Sequence, residues 1–85
     1  MYAVKFGADW CLPCRRYDPV LAELVESKGY EIHDVDVDEL DSDTVSDWKI
    51  SGIPATFFFD NNDNLIARES GAITAQEFVK VFNNG

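Results

Sequence analysis

Asp9-Trp10-Cys11-Leu12-Pro13-Cys14 contains both cysteines of this 85-residue chain. Two thiols set two residues apart admit three readings: a structural staple, half of a metal site, or a redox pair. A bridge across two intervening residues closes a very small loop and restricts the unfolded chain little, which weakens the first. Zinc wants four ligands, and only His33, on a different element, could join the two thiols within one chain; a site shared between two chains is the remaining metal option. The third reading is favoured by what surrounds the pair.

Upstream, Met1 to Gly7 places Tyr2, Val4 and Phe6 on one face of a short strand. Pro13 suits the first turn of a helix, where its missing N–H costs nothing, so a helix is expected to begin near Cys11. Tyr17, Val20, Leu21, Leu24 and Val25 recur at helical spacing and predict one apolar stripe. Pro19 falls inside this helix and should kink it. Gly29 fits a left-handed cap.

Tyr30 to Val37 predicts a second strand, completing a parallel βαβ unit. Ser42 to Trp48 predicts a short helix, and Ala55 to Phe59 a strongly apolar strand. Asp60 to Asn64 is turn chemistry, and Leu65 to Glu69 the returning arm of a hairpin. Thr74 with Glu77 forms a capping box for a last helix, whose buried face is Phe78, Val79 and Phe82. The expected fold class is α/β, ordered βαβαββα. Four strands form one mixed sheet with three helices covering both faces, in a single domain over residues 1–85.

In this setting the thiols acquire a chemistry. A helix N-terminus stabilises a thiolate, the reactive form of cysteine. Cys11 sits where strand gives way to helix, and Cys14 lies one turn in, pointing the same way and less exposed. A CxxC beside a βαβ pattern is a sign of dithiol–disulfide exchange.

Composition removes other functions. The apolar share is 46% and the aromatic share 13%, a globular balance. A net charge of −9 argues against nucleic acid and acidic lipid as partners, although a halophile origin would also give it. No apolar run could span a bilayer, and no basic-then-apolar leader is visible. The cytoplasm is therefore expected, or a chain whose leader has been removed. Asp34-x-Asp36-x-Asp38 mimics the start of a calcium loop, but Glu39 stands where such a loop needs Gly and Val45 where it needs a closing Glu. These aspartates are expected as a solvated surface, His33 as a polar strand residue, and no metal site is predicted.

The sequence resembles the thioredoxins. The matching pieces are Phe6, Ala8-Asp-Trp-Cys-Leu-Pro-Cys14, Pro19 eight residues after Cys11, Gly52-Ile-Pro-Ala-Thr56, and Gly71-Ala72 before the final helix. The resemblance covers essentially the whole chain but starts late, without the first strand and helix of full-length thioredoxins. Small thioredoxins of this length are carried by phages and some archaea. The fold implied is a minimal thioredoxin fold. The activity implied is protein-disulfide reduction, with Cys11 attacking and Cys14 resolving. Ile53-Pro54 is implied to be a cis peptide facing Cys11, leaving the Ile53 backbone to pair with an extended substrate. Trp10, Leu12, Pro13, Ile53, Pro54, Gly71 and Ala72 would form the substrate surface. No cofactor beyond the disulfide is implied. The partners implied are disulfide-containing proteins, ribonucleotide reductase being one candidate, and a thioredoxin reductase or equivalent donor. The chain would act as a monomer in the cytoplasm, the host's if it is phage-encoded.

Two positions depart from the family. Leu12 replaces the Gly between the first Cys and the Pro. Thioredoxins also keep a buried Asp six residues before the nucleophilic Cys, paired with a Lys on the neighbouring strand; here the first position is Lys5, and the second aligns with Asp34. The pair reads as exchanged in sign, with Lys5 and Asp34 beneath Cys14 in a catalytic role, which is reasonable because breaking half of a buried pair costs roughly 3–5 kcal/mol. Lys5 snorkelling to solvent, with Asp34 as one more surface aspartate, is the competing reading. For the activity itself, the alternatives are a glutaredoxin-like, glutathione-dependent reductase, which the negative charge disfavours, and a non-catalytic binding subunit using the same scaffold.

Overall fold

Ala55-Thr-Phe-Phe-Phe59 alternates between two faces, yet no residue in it is polar enough to stand in water except Thr56. Such a strand must be covered on both sides. In the computed structural model, which describes residues 1–84, it is the third strand of a four-stranded sheet. The order along the chain is β1 (Tyr2–Gly7), α1 (Leu12–Lys28), β2 (Ile32–Asp36), a 3₁₀ turn at Val37–Glu39, α2 (Ser42–Asp47), β3 (Ala55–Phe59), β4 (Leu65–Ser70) and α3 (Ala75–Asn84). The sheet order is β2-β1-β3-β4. β1 and β2 are parallel, while β1 with β3 and β3 with β4 are antiparallel, so the sheet is mixed.

Two apolar layers result. On one face Ala3 and Phe58 meet Tyr17, Leu21 and Leu24 of α1 and Phe78 of α3, with Ile73 beside them. On the other, Phe6, Phe57 and Phe59 pack with Tyr2, Val4, Leu40 and Ile50. Trp48 lies against the rings of Phe6, Phe57 and Phe59 and closes this layer. The stripe on α1 is narrower than its spacing predicts. Val20 is half-buried and Val25 is 44% exposed.

The strand expected over Tyr30 to Val37 is shorter, Ile32–Asp36, because Asp36 turns the chain by capping the 3₁₀ turn through the Asp38 N–H. The second helix ends at Asp47, with Trp48 as its cap. Gly29 takes φ 69°, and its N–H bonds the Val25 carbonyl to close α1. Thr74 and Glu77 bond reciprocally at the start of α3. In the hairpin turn, Asp60 receives the N–H groups of Asn62 and Asn64.

One link ties the second layer to the segment leading into Pro54. Arg68 of β4 lies 4.6 Å over the Phe57 ring. Its Nη2 donates to the Trp48 and Lys49 carbonyls at 3.2 and 2.9 Å. Lys49 holds φ 56°, an uncommon conformation for a residue with a side chain, so the guanidinium secures a turn that would otherwise relax. The two sheet edges differ in chemistry: β2 exposes His33 and Asp34, with the Glu31 carboxylate on the His33 ring, whereas β4 exposes Leu65 and Ile66.

Tyr17 donates to or accepts from Thr56 at 2.8 Å inside the core. Burial pushes its phenol up to about 12; the Thr56 hydrogen bond works the other way, and the charges of Glu69 and Glu77 add to the rise. The unfolded phenol loses its proton near pH 10, whereas the folded one keeps it. The unfolded state then binds fewer protons, so stability falls as pH rises through this window. Oxidised wild type should lose about 3 kcal/mol of stability from this residue between pH 10 and 12, and Tyr17→Phe should flatten that part of the slope. Urea unfolding midpoints measured across this range check it.

Candidate active site

β1 ends at Gly7 in the middle of the sheet, and α1 begins five residues later. The intervening turn is closed by the Cys11 N–H, which donates to the Ala8 carbonyl at 3.2 Å. Cys11 is the N-cap of α1, with φ −85° and ψ 108°, and Pro13 occupies the first turn. Its sulfur takes the place that a serine or aspartate oxygen fills at other N-caps: it accepts the Cys14 N–H at 3.2 Å. The local sequence thus puts a sulfur at the positive end of a 17-residue helix.

Cys11 and Cys14 are joined as a disulfide with Cα atoms 5.2 Å apart. Both are buried, Cys14 more so at 1% against 5%. Ala8, Val37 and Ile53 pack around the two sulfurs. Ile53-Pro54 is a cis peptide, and the Ile53 carbonyl lies 3.8 Å from Cys11 Sγ. The Pro54 carbonyl accepts the Gly71 N–H at 2.8 Å, with Gly71 at φ 81°. This bond holds the Gly71-Ala72 turn beside Pro54. Among the described residues, the Ile53 N–H makes no backbone hydrogen bond. Trp10 and Leu12 flank the disulfide and are 70% and 55% exposed. A half-ring of apolar side chains therefore surrounds the bond, next to an unused backbone donor.

Behind the disulfide lies a charged group. Lys5 on β1 is 3% exposed. Its Nζ meets Asp34 Oδ1 at 3.2 Å, Asp34 being its register partner on β2. It meets Asp18 Oδ1 more closely, at 2.7 Å. Burial alone would pull the Lys5 ammonium toward neutrality, but the hydrogen bonds and charges of Asp18 and Asp34 outweigh it, and the group is held above its ordinary range. Lys5 does not snorkel to solvent. The carboxylates carry that exposure, at 48% for Asp18 and 68% for Asp34.

Sequence reasoning missed two of these contacts. Asp18 follows Cys14 by four residues, one turn further along the same helix face, which is the signal that would have found it. Asp38 accepts the Trp10 indole N–H at 2.8 Å and so orients the ring beside the disulfide. The aspartates of the 34–38 segment are exposed or half-exposed, as expected, but each also makes a specific contact. Asp34 meets Lys5, Asp36 caps the 3₁₀ turn, and Asp38 holds Trp10. No cluster of three or more metal-ligating side chains occurs among the described residues. Among the same residues, no helix is long and apolar enough to cross a membrane.

A CxxC disulfide at a helix N-terminus, under an apolar rim and beside a cis-proline, defines a thiol–disulfide oxidoreductase domain. Comparison with known proteins leads to the same class. The thioredoxin family model matches residues 1–84. Thioredoxin H5 of Arabidopsis thaliana is 33% identical over 100% of this chain and 71% of its own length. An H-type thioredoxin of Picea mariana is 40% identical over 85% of this chain, which spans 57% of that relative. The structure of the reduced Schistosoma mansoni thioredoxin pre-protein superposes with a TM-score of 0.84 at 28% identity, covering 98% of this chain and 76% of that one. The chain belongs to the thioredoxin family. Thioredoxins act with no cofactor beyond the redox-active disulfide, on disulfide-bearing proteins and with a reductase as donor.

The differing burial and the cap predict unequal thiols. After reduction, limiting iodoacetamide at neutral pH should label Cys11 roughly tenfold faster than Cys14, because the helix N-terminus favours its thiolate. Peptide mapping by mass spectrometry reads the ratio. Equal labelling would contradict it.

Proposed function

We propose that this chain reduces disulfides of partner proteins by cycling Cys11 and Cys14 between dithiol and disulfide. The observation that carries it is the disulfide lying at the N-cap of α1 under the Ile53 carbonyl. In the reduced chain the Cys11 thiolate attacks one sulfur of the partner's disulfide. A Cys11–partner bond forms, the partner's own bond breaks, and one partner thiolate leaves. Cys14 then gives up its proton to the partner thiolate just released or to water, and its own thiolate attacks Cys11 Sγ. The Cys11–Cys14 bond forms, the second partner thiolate leaves, and two electrons have passed to the partner.

The substrate surface is Trp10, Leu12, Pro13, Ile53, Pro54, Gly71 and Ala72. An extended segment laid along it would pair with the Ile53 backbone and cover Trp10 and Leu12. Leu12 adds apolar area where the family has Gly, so this rim favours apolar residues flanking the target disulfide.

Lys5 and Asp34 act at the second step. A cation near Cys14 favours the thiolate that must form there, and the carboxylate keeps that cation in place. Reduction of partner disulfides suits a cytoplasmic setting, that of a host cell if the chain is phage-borne, with a thioredoxin reductase or equivalent restoring the dithiol. The protein works as a monomer, and ribonucleotide reductase is one candidate partner.

Insulin with dithiothreitol tests the activity. Wild type should accelerate chain cleavage, seen as turbidity, and replacing both Cys11 and Cys14 by Ser should abolish the acceleration, whereas a binding scaffold would keep its function. Recovery of the dithiol with NADPH and a thioredoxin reductase, but not with glutathione, separates this reading from a glutathione-dependent one.

For the second step, the Cys14 thiol should titrate higher in Lys5→Met than in wild type, by about one pH unit, and should also move in Asp34→Asn. Unchanged titration in both variants removes Lys5 and Asp34 from the mechanism. Thiolate absorbance in a Cys11→Ser background follows it.

A further inference from the structure

Because Gly7, at the end of β1, has no side chain, the end of the Lys5 side chain lies where a Cβ would stand. A Cβ placed there would lie 2.7 Å from Lys5 Nζ and 3.3 Å from Cys14 Sγ. The ammonium and the sulfur therefore lie on the same side of the Gly7 backbone, with no residue 7 side chain to hold them apart. Their separation cannot exceed the sum of those two distances.

The other neighbours of Lys5 are accounted for. Thr56, its register partner on β3, is engaged with the Tyr17 hydroxyl. Asp34 approaches from β2 and Asp18 from α1. Asp9, Arg15, Asp36 and Glu39 line the same cleft. Asp18 is the nearer and the less exposed of the two carboxylates on Nζ.

Resting on the activity proposed above, we infer that Lys5 and Asp18 set the redox poise of the Cys11–Cys14 couple. Lys5 stabilises the charged sulfur of the reduced form, and Asp18 limits that stabilisation. The couple is neutral when oxidised. Reduction by dithiothreitol delivers two electrons: the Cys11–Cys14 bond breaks, two sulfur anions form, and the reagent closes to its cyclic disulfide. Each sulfur then takes a proton from water or stays ionised. A cation beside Cys14 acts on the ionised, reduced form only, so it makes the couple more oxidising. Asp18 partly cancels the same field and pulls the couple back toward reducing power. It is a positioning and tuning residue, with no contact to the sulfur.

The exchange constant with dithiothreitol at about pH 10, where a cysteine thiol is ionised and the Lys5 ammonium keeps its charge, read by acid quench and alkylation, tests this. Lys5→Met should shift the equilibrium toward the disulfide form about tenfold, close to 30 mV more reducing. Asp18→Asn should move it the opposite way by about threefold, close to 15 mV. Asp18 is half-exposed, so this variant serves if Lys5→Met does not fold. In a Cys11→Ser background, the Cys14 thiol should titrate lower in Asp18→Asn than in wild type, a shift that a merely structural role for Asp18 would not produce. A Lys5→Met constant within about twofold of wild type overturns the inference. So does an Asp18→Asn shift in the same direction as Lys5→Met. Insulin cleavage by wild type is measured alongside: potentials that shift as stated without insulin cleavage sink the proposed function and leave this inference standing.

Discussion

β3 has no side that water can reach. Ala55, Phe57, Phe58 and Phe59 are all buried, and Thr56, the one polar member, is satisfied by Tyr17. A strand in that state forces a helical layer on each side of the sheet, and a chain this short has only enough helix to build them once. α1 and α3 cover the Phe58 side, while Leu40, Trp48 and Ile50, from the segments on either side of α2, cover the Phe57 and Phe59 side. Because α1 must pack against that centre, its N-terminus arrives where β1 stops. The sulfur pair is placed by this packing demand, and the rim of Ile53, Pro54 and Gly71 is placed by the entry into β3 and the exit from β4.

The site then rests on two local electrostatic arrangements. In front, the cap sulfur of Cys11 faces the free N–H groups of a helix, a setting that favours its anion. Behind, a buried lysine stands where the family keeps a buried aspartate. A lone ammonium there would be costly to desolvate. Two half-exposed carboxylates make the burial tolerable, and they do so from the solvent side without burying a second and third charge.

The element order, the cap at Gly29, the box at Thr74 and the helix start at Cys11 are all legible in sequence, because each depends on residues within one turn of one another. The proximity of Lys5 and Asp34 is legible only through the resemblance to the thioredoxins, since the register of the adjacent parallel strands that joins them leaves no mark in the pattern of either strand. Asp18, the Trp10–Asp38 bond and the Arg68 latch on Trp48 and Lys49 are not. Each joins side chains from different elements, and several other exposed aspartates or arginines could have filled each place. The early end of β2 is hidden because Asp36 caps the following turn, and that competition with the strand ladder has no signature in an alternating pattern. Val25 escapes its expected burial because a helical stripe shows which residues can face a core, but not how much of that stripe the rest of the fold covers.

The negative rim of β2 has a consequence for encounters between copies of this chain. Among the described residues that strand's outer edge has no strand beside it, and such an edge invites another strand. Here it presents His33 and Asp34, with Glu31 leading in, so two such edges brought together would set carboxylate against carboxylate under a net charge of −9. Edge-to-edge stacking is thereby discouraged at high concentration and low salt, and added salt or acid weakens that protection first.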